Sequence, residues 1–330
     1  MHAVRFIKGI IMKITDKSIM FEPWTECNNL CKFCYLGQVN RNTPDEKKIE
    51  NVKKIMSLID EHFTGIDEQY KALGLIGGEF FQGQMKNPEV KALFFEMCKK
   101  VFDLIEKDII RDFWCYCTLT IGDQEDLYKL IDLFDKTVTD KEKHHFWILV
   151  SYDTYGRFYV PGREENWSKH MLNLQKYSFI RFNVTSIFSQ DFCEKVLSGE
   201  LDLIAFQKKY KTHFFFKQPT ASMDFDYNEP FAKIHPNWFV KRKTFLDFLV
   251  KLKKESKDLF DSVLNIEQRA DDIVQSVSDF VPTHRDKETW EETDMEPNPK
   301  CGHVTYYKCY ADSDECCLCD YLKIKNQDME

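Results

Sequence analysis

The sequence predicts an α/β fold built around a parallel β-sheet. Short β-like runs alternate with helical patterns from Lys17 to Gln218, and such alternation is typical of βαβ units. Two of the runs, Phe146–Val150 and Phe214–Phe216, are almost continuously apolar, as expected for strands that are covered on both faces. We count six strand-and-helix units, and the last of them ends near Gln218.

Each unit is predicted from the spacing of its apolar residues. In the first helix, for example, Val52, Met56 and Ile59 fall on one face at helical spacing. The predicted strands are Lys17–Pro23, Lys71–Ile76, Phe113–Ile121, His145–Tyr152, Phe179–Phe188 and Thr212–Lys217. The predicted helices are Lys47–Phe63, a helix that carries Val90 to Leu104, Glu125–Phe134, Trp167–Leu174 and short helices over Phe192–Phe206.

Four further segments flank this region of residues 17–218. Residues 1–16 form a short lead-in, and residues 219–281 form a helical extension in which Lys241–Phe280 is predicted to be one or two amphipathic helices. Residues 282–300 are an acidic linker with little to bury, and residues 301–330 are a cysteine-rich tail. The basic stretch Lys241–Lys243 is interpreted as a solvated helix face, with a nucleic-acid footprint as the alternative.

The composition is that of an ordinary globular protein. Of the 330 residues, 43% are hydrophobic and 30% are charged, which excludes a disordered chain or a coiled coil. The net charge of −8 argues against a large nucleic-acid surface. No apolar stretch approaches the ~18 residues of a membrane helix, so no membrane partner is expected.

The 12 cysteines call for a separate explanation. Because the chain shows no export signal, we expect metal ligands or core thiols rather than disulfides, and hence a cytoplasmic protein. The cysteines interpreted as core thiols are Cys98, Cys115, Cys117 and Cys193.

Three cysteines lie in one loop directly after the first predicted strand. Cys27, Cys31 and Cys34 have the spacing C-x3-C-x2-C, and thiolates are the ligands of iron–sulfur clusters. A four-iron cubane that is held by three protein ligands keeps one iron open, as catalytic rather than structural metal sites do. A zinc knuckle is the alternative, but no histidine or further cysteine between Glu22 and Asn42 offers a fourth ligand.

This motif resembles that of the radical S-adenosylmethionine (SAM) superfamily, and the resemblance covers about residues 17–218. Asn28 after the first cysteine and Phe33 before the third are part of it. The resemblance implies a partial (β/α)6 barrel with a 4Fe–4S cluster on the three cysteines, SAM chelated by the open iron, and Phe33 beside the adenine. It also implies that the reduced cluster cleaves SAM to a 5′-deoxyadenosyl radical. A one-electron donor such as flavodoxin or ferredoxin would then be the partner.

Two other strand ends match the resemblance. Gly77-Gly78-Glu79 follows the second predicted strand and is similar to the family's GGE motif, which implies that it binds the amino group of SAM. The family usually has a proline next, where this chain has Phe80. Ser151 and Asp153 resemble the family's strand-four ending, so Ser151 is expected to bond the SAM ribose or carboxylate and Asp153 to shape the loop. A plain turn with a capping aspartate is the alternative for this pair.

The tail carries a second group of cysteines. Cys301, Cys309, Cys316 and Cys319 are expected to bind a second metal centre, because Cys316-x2-Cys319 has the spacing of a metal hairpin. A segment as polar as Pro299–Tyr321 is not expected to fold by apolar burial alone. Metal binding would then supply the free energy of ordering. A second 4Fe–4S cluster and a zinc ion are the two alternatives, with iron slightly favoured.

The expected activity is hydrogen abstraction from a substrate by the SAM-derived radical. A nucleotide, nucleobase or other small molecule is favoured as the substrate, because residues 1–16 leave no room for a peptide-recognition domain before the first strand. A radical SAM enzyme that modifies peptides or proteins is the first alternative. A non-enzymatic iron–sulfur or zinc-binding protein is the alternative from another class, and the position of Gly77-Gly78-Glu79 argues against it.

Overall fold

The fold is α/β, as the sequence predicts. The computed structural model of the chain describes residues 4–7, 10–14, 18–29, 31, 42–153, 156–217, 237–263, 272–275, 310–313 and 317–326. Within these residues, strands and helices alternate through the expected region, and six consecutive strands run parallel. No helix among them is both long enough and apolar enough to cross a membrane.

The strands in the described part of the chain form one nine-stranded sheet. They are β1 (Val4–Ile7), β2 (Ile10–Ile14), β3 (Ser18–Phe21), β4 (Glu68–Leu75), β5 (Ile110–Tyr116), β6 (Phe146–Ser151), β7 (Ile180–Ile187), β8 (Thr212–Lys217) and β9 (Asp272–Gln275). Strands β3 to β8 pair in chain order. Because all six are parallel, the loops that follow them gather at one edge of the sheet.

Helices follow most of these strands and cover one face of the sheet. They are α1 (Asp45–Phe63), α2 (Pro88–Glu106), α3 (Glu125–Thr137), α4 (Arg163–Leu174), α5 (Gln190–Ser198), α6 (Leu203–Tyr210), α7 (Arg242–Glu255), α8 (Lys257–Asp261) and α9 (Cys317–Asn326). The ring centroids of Phe102 on α2 and Phe113 on β5 are 5.1 Å apart. Those of Phe134 on α3 and Phe146 on β6 are 5.6 Å apart. This aromatic layer fixes the strands, and therefore the loops at their ends.

The opposite face of the sheet is less covered. Phe146 is fully buried, whereas Trp147 beside it is only partly buried. Phe215 is likewise partly buried between Phe214 and Phe216. Successive side chains of a strand point to opposite faces of the sheet. Among the described residues, β6 and β8 are therefore buried on the face that carries the helices and incompletely buried on the other, whereas the sequence predicts cover on both faces.

Three of the nine strands, β1, β2 and β9, lie in segments for which the sequence predicts no strand. Residues 1–16, predicted as a lead-in, contain the antiparallel hairpin of β1 and β2, and β2 pairs in parallel with the start of β4. Strand β9 lies within the segment Lys241–Phe280, which was predicted to be helical, and pairs in parallel with β3. The helix prediction is wrong there, because the free edge of β3 offers unpaired backbone groups that an added strand satisfies.

The end of the tail packs against α7 through an ion pair and apolar contacts. Arg242 donates to both carboxylate oxygens of Asp320, at 2.7 and 2.8 Å. Tyr310 donates to the same carboxylate at 2.9 Å. Tyr310 and Cys317 are almost completely buried. The described part of Pro299–Tyr321 therefore buries more apolar surface than its polar sequence predicted.

Several basic residues of α7 already form ion pairs or hydrogen bonds within the chain. Arg242 is committed to the tail, and Lys253 donates to the carbonyl of Ile324 at 2.5 Å. Lys243 and Lys251 form ion pairs with acidic residues one turn further along the same helix. These contacts favour the interpretation of a solvated helix face over a nucleic-acid footprint.

Candidate functional site

The candidate site lies at the carboxyl ends of β3, β4 and β5, where the segments that follow these strands meet. The N–H group of Gly78 donates to the carbonyl of Trp24 at 3.2 Å. The N–H group of Glu79 donates to the carbonyl of Glu26 at 2.8 Å. The pairing of β3 with β4 thus continues past both strand ends and brings Glu79 next to Cys27.

Gly77 and Gly78 make this close approach sterically feasible. Gly77 has a φ of +150°, a backbone conformation that residues with side chains rarely adopt. A Cβ atom at Gly77 would clash with the carbonyl oxygen of Trp24. A Cβ atom at Gly78 would clash with the carbonyl oxygens of Thr25 and Glu26. The two glycines therefore let the cysteine loop lie directly on the Gly-Gly-Glu segment.

Two of the three motif cysteines lie within the described residues. Cys27 is partly buried and Cys31 is 7% exposed, and both come soon after β3. Cys34 and Phe33 lie outside the described residues. Among those that are described, no group of three His, Cys, Asp or Glu side chains is placed to hold a metal ion. A three-cysteine site would need Cys34 to complete it.

Four other cysteines have the character of core residues. Burial raises the pKa of each thiol well above its ordinary value. A thiol that stays protonated is a poor metal ligand, because the thiolate is the form that binds. The structure therefore agrees with their interpretation as core thiols, and the four are Cys98, Cys115, Cys117 and Cys193.

The carboxylate of Glu79 is the centre of a buried hydrogen-bond network. One oxygen accepts from the backbone N–H groups of Phe80 at 2.9 Å and Phe81 at 3.1 Å. The other accepts from the backbone N–H of Thr118 at 2.9 Å and from its hydroxyl at 2.5 Å. It also accepts from the side-chain amide of Gln82 at 3.4 Å. Since Glu79 is fully buried, protein donors rather than solvent stabilise this carboxylate.

Two opposing effects act on the pKa of Glu79. Burial raises this pKa above its ordinary value, and the hydrogen bonds from Thr118, Phe81 and Phe80 oppose the rise. Sequence analysis predicts that Glu79 binds the ammonium group of SAM, and the structure places it beside the cysteine loop. Its oxygens are already engaged, so an ammonium group would share them with the donors of Thr118 or Gln82.

The same network reaches the cysteine loop through Asn29, a residue that sequence analysis did not identify. The amide nitrogen of Asn29 donates to the Thr118 hydroxyl at 2.8 Å, and it also lies 3.7 Å from the sulfur of Cys27. The amide oxygen accepts from the Thr120 hydroxyl at 2.5 Å. Thr118 and Thr120 fall in a stretch that was predicted as strand, and its β-forming composition carries no signal of this role.

Helix α1 holds the cysteine loop from the other side. The ammonium group of Lys48 lies 2.5 Å from the carboxylate of Glu26 and donates to the carbonyl of Gln84 at 2.9 Å. Asn51 donates to the carbonyl of Pro23 at 2.9 Å. Both Lys48 and Asn51 are buried, where polar groups require partners. These bonds therefore fix the position of the loop relative to α1.

The loop after β6 also reaches this edge of the sheet. Ser151, the last residue of β6, is partly buried. Asp153 is buried, and its carboxylate accepts from the N–H group of Gly156 at 2.5 Å, so it shapes the turn. Further along the loop, the hydroxyl of Tyr159 donates to the carbonyl of Asn29 at 3.4 Å. This bond connects the loop to the cysteine segment.

The cysteine-rich tail is described only in part. Cys317 is buried and Cys319 is partly buried, and both lie on α9. Cys301, Cys309 and Cys316 lie outside the described residues. A second metal centre in the tail therefore stays a prediction.

Comparison with known proteins adds no assignment to this geometry. No family model matches the chain, and no curated protein matches it either. The function is therefore inferred from the cysteine motif and from the contacts that surround it.

Proposed function

We propose that this chain is a radical SAM enzyme. The observation that carries the proposal is the direct contact between the cysteine loop after β3 and the Gly77-Gly78-Glu79 segment after β4. A loop that holds a cluster and a segment that holds SAM must be neighbours if one SAM molecule is to touch both. The six parallel strands are taken as the partial (β/α)6 barrel of this function, with the chemistry at their carboxyl ends.

In this proposal, Cys27, Cys31 and Cys34 hold a 4Fe–4S cluster. The described residues fit that role, because α1 and the Gly-Gly-Glu segment support the loop from two sides. The sulfur of Cys27 has an amide donor at 3.7 Å, a contact that suits a thiolate. When bound and reduced, the cluster supplies the electron that cleaves SAM and so generates the radical.

The proposed SAM-binding residues lie on the neighbouring loops. Gly77-Gly78-Glu79 combines a backbone without side chains and a buried carboxylate, which favours an ammonium group nearby. Phe33 is assigned to the adenine and Ser151 to the ribose or the carboxylate. Asp153 is assigned to the shape of the loop, which its bond to Gly156 supports.

A nucleotide, nucleobase or other small molecule is the proposed substrate. On the sheet face opposite the helices, Asn183 and Thr185 of β7 are partly buried, and such polar groups suit a heterocycle. A flavodoxin or ferredoxin is the proposed electron donor. The proposed location is the cytoplasm, because cysteines that bind a cluster must stay reduced, as they do in that compartment.

The proposal is tested on protein that is reconstituted with iron and sulfide without oxygen. The three-cysteine site should contribute about four irons, and these should be lost when Cys27, Cys31 and Cys34 are replaced together by Ala. Cys193→Ala is the matched thiol control and should keep them. SAM should change the electron paramagnetic resonance (EPR) spectrum of the reduced cluster, since it ligates the open iron. A cluster whose EPR spectrum does not change when SAM is added would favour a non-enzymatic iron–sulfur protein instead.

The triple variant also tests the second metal centre proposed for the tail. About four irons that remain in this variant would indicate an auxiliary cluster, and about one zinc would indicate a structural site. The proposed ligands are Cys301, Cys309, Cys316 and Cys319. A variant that holds neither metal would show that the tail folds through contacts such as Arg242 with Asp320 alone.

A further inference from the structure

Asn29 is held in one orientation beside Cys27. Its amide oxygen accepts from the Thr120 hydroxyl at 2.5 Å, and its amide nitrogen donates to the Thr118 hydroxyl at 2.8 Å. The same nitrogen lies 3.7 Å from the sulfur of Cys27, within reach of an N–H···S bond. Asn29 is 1% exposed, so water does not compete for these groups.

Glu79 sets the direction of these bonds. A hydroxyl group has one proton to donate, and Thr118 donates its proton to the carboxylate of Glu79 at 2.5 Å. The oxygen of Thr118 must therefore accept from Asn29, which requires the amide nitrogen to face it. With the amide turned over, its oxygen would face the oxygen of Thr118 and the thiolate of Cys27, and neither group could donate to it.

We propose that Asn29 is a positioning residue that raises the reduction potential of the cluster through its bond to Cys27. This inference rests on the proposed function, because it requires a cluster on the three cysteines. One-electron reduction adds negative charge to the cluster and to its thiolate ligands. An N–H donor on a thiolate stabilises that added charge, so the reduced form gains more than the oxidised form.

The hydrogen bonds around Asn29 keep its amide nitrogen directed at Cys27. Among the described residues, Thr118 and Thr120 bond to the amide of Asn29 and to no cysteine sulfur, so we infer that they act by orienting Asn29. Asn28 provides a contrast, because it is exposed and donates to the carbonyl of Gln82 at 2.8 Å rather than to a sulfur. The loop thus contains two adjacent asparagines, of which one is bonded to a cysteine.

The test is a redox titration of the reconstituted full-length protein without SAM, followed by the EPR signal of the reduced cluster. Asn29→Ala should shift the reduction potential to a more negative value than in the wild type. Asn29→Asp should shift it further, because a carboxylate replaces the donor. Thr118→Val, which loses the hydroxyl but keeps the volume, should shift the potential in the same direction by a smaller amount. Thr118→Ser should restore the wild-type potential.

Asn28→Ala is the matched control, and its cluster should have the same reduction potential as that of the wild type. A shift in Asn28→Ala as large as that in Asn29→Ala would overturn the inference, since the effect would then belong to the whole loop. A wild-type cluster that titrates at the same potential as the Asn29 and Thr118 variants would overturn the inference but leave the proposed function intact. If the Asn29 variants take up no cluster, Thr118→Val replaces them in the test: a more negative potential than the wild type supports the inference, and an unchanged potential overturns it. A wild type without any reducible cluster would overturn both.

Discussion

Glu79 connects segments of the chain that are far apart in sequence. Its carboxylate accepts from the backbone of its own loop and from Thr118, which follows β5. Thr118 in turn accepts from Asn29 in the cysteine loop. A buried carboxylate is costly unless such donors surround it, so the conformations of these three segments depend on each other.

Replacing Glu79 by Ala should lower the free energy of unfolding of the unreconstituted protein by about 3 kcal/mol. The N–H groups of Phe80, Phe81 and Thr118 would lose their buried acceptor, and each unsatisfied donor costs ~1–3 kcal/mol. Urea unfolding that is followed by circular dichroism measures this change. Glu89→Ala is the control: the exposed ion pair of Glu89 should contribute less than ~1 kcal/mol. Equal losses in the two variants would contradict a supporting role for the network.

The junction of helix α9 with α7 contains a buried ion pair. Asp320 has a side chain that is 1% exposed, and Arg242 supplies two of its hydrogen bonds. An unpaired charge in such a place is strongly unfavourable, and breaking a buried pair costs ~3–5 kcal/mol. Local detachment of α9 is therefore expected before any loss of the sheet.

Arg242→Ala should increase amide hydrogen exchange in residues 317–326 while exchange in the sheet strands stays unchanged. The reason is that Asp320 would lose the two hydrogen bonds from Arg242 and keep only the donor of Tyr310 and the longer ion pair with Lys323, at 3.6 Å. Hydrogen exchange with mass spectrometry measures both regions in one experiment. Lys243→Ala is the control on the same helix, because Lys243 is exposed and, among the described residues, forms its ion pair with Asp247 of α7 itself. Unchanged exchange over α9, or an equal increase in the sheet, would show that the ion pair does not hold the tail.

The predicted bounds of a strand or helix agree with the observed ones where the local residue pattern is compatible with a single type of secondary structure. Thr212–Lys217 was predicted with the bounds that β8 has, because a continuous aromatic run with a β-branched start has one local interpretation. The strand predicted over Phe113–Ile121 ends at Tyr116 instead. Leu119 has a φ of +55°, which breaks the extended backbone. Nothing in the side chains of a Thr-Leu-Thr stretch indicates such a turn.

At the scale of the whole molecule, the parallel order of the strands brings the candidate site together. Loops after β3, β4, β5 and β6 come from distant parts of the sequence and meet because parallel strands end at one edge. The meeting of the cysteine loop with Gly77-Gly78-Glu79 could therefore be predicted from motif positions and fold class. The roles of Asn29, Thr118 and Thr120 could not, because their bonds depend on loop conformations that only tertiary packing sets.

Formation of 5′-deoxyadenosine from SAM is the most direct test of the proposed activity. Protein that is reconstituted and then reduced with dithionite in the absence of oxygen should convert SAM to methionine and 5′-deoxyadenosine. Cys31→Ala should abolish this conversion, whereas Cys193→Ala, which alters a thiol in the core, should retain it. Product analysis by liquid chromatography and mass spectrometry decides between the outcomes. SAM that stays intact beside a reducible cluster, or full conversion by Cys31→Ala, would contradict the assignment of this chain as a radical SAM enzyme.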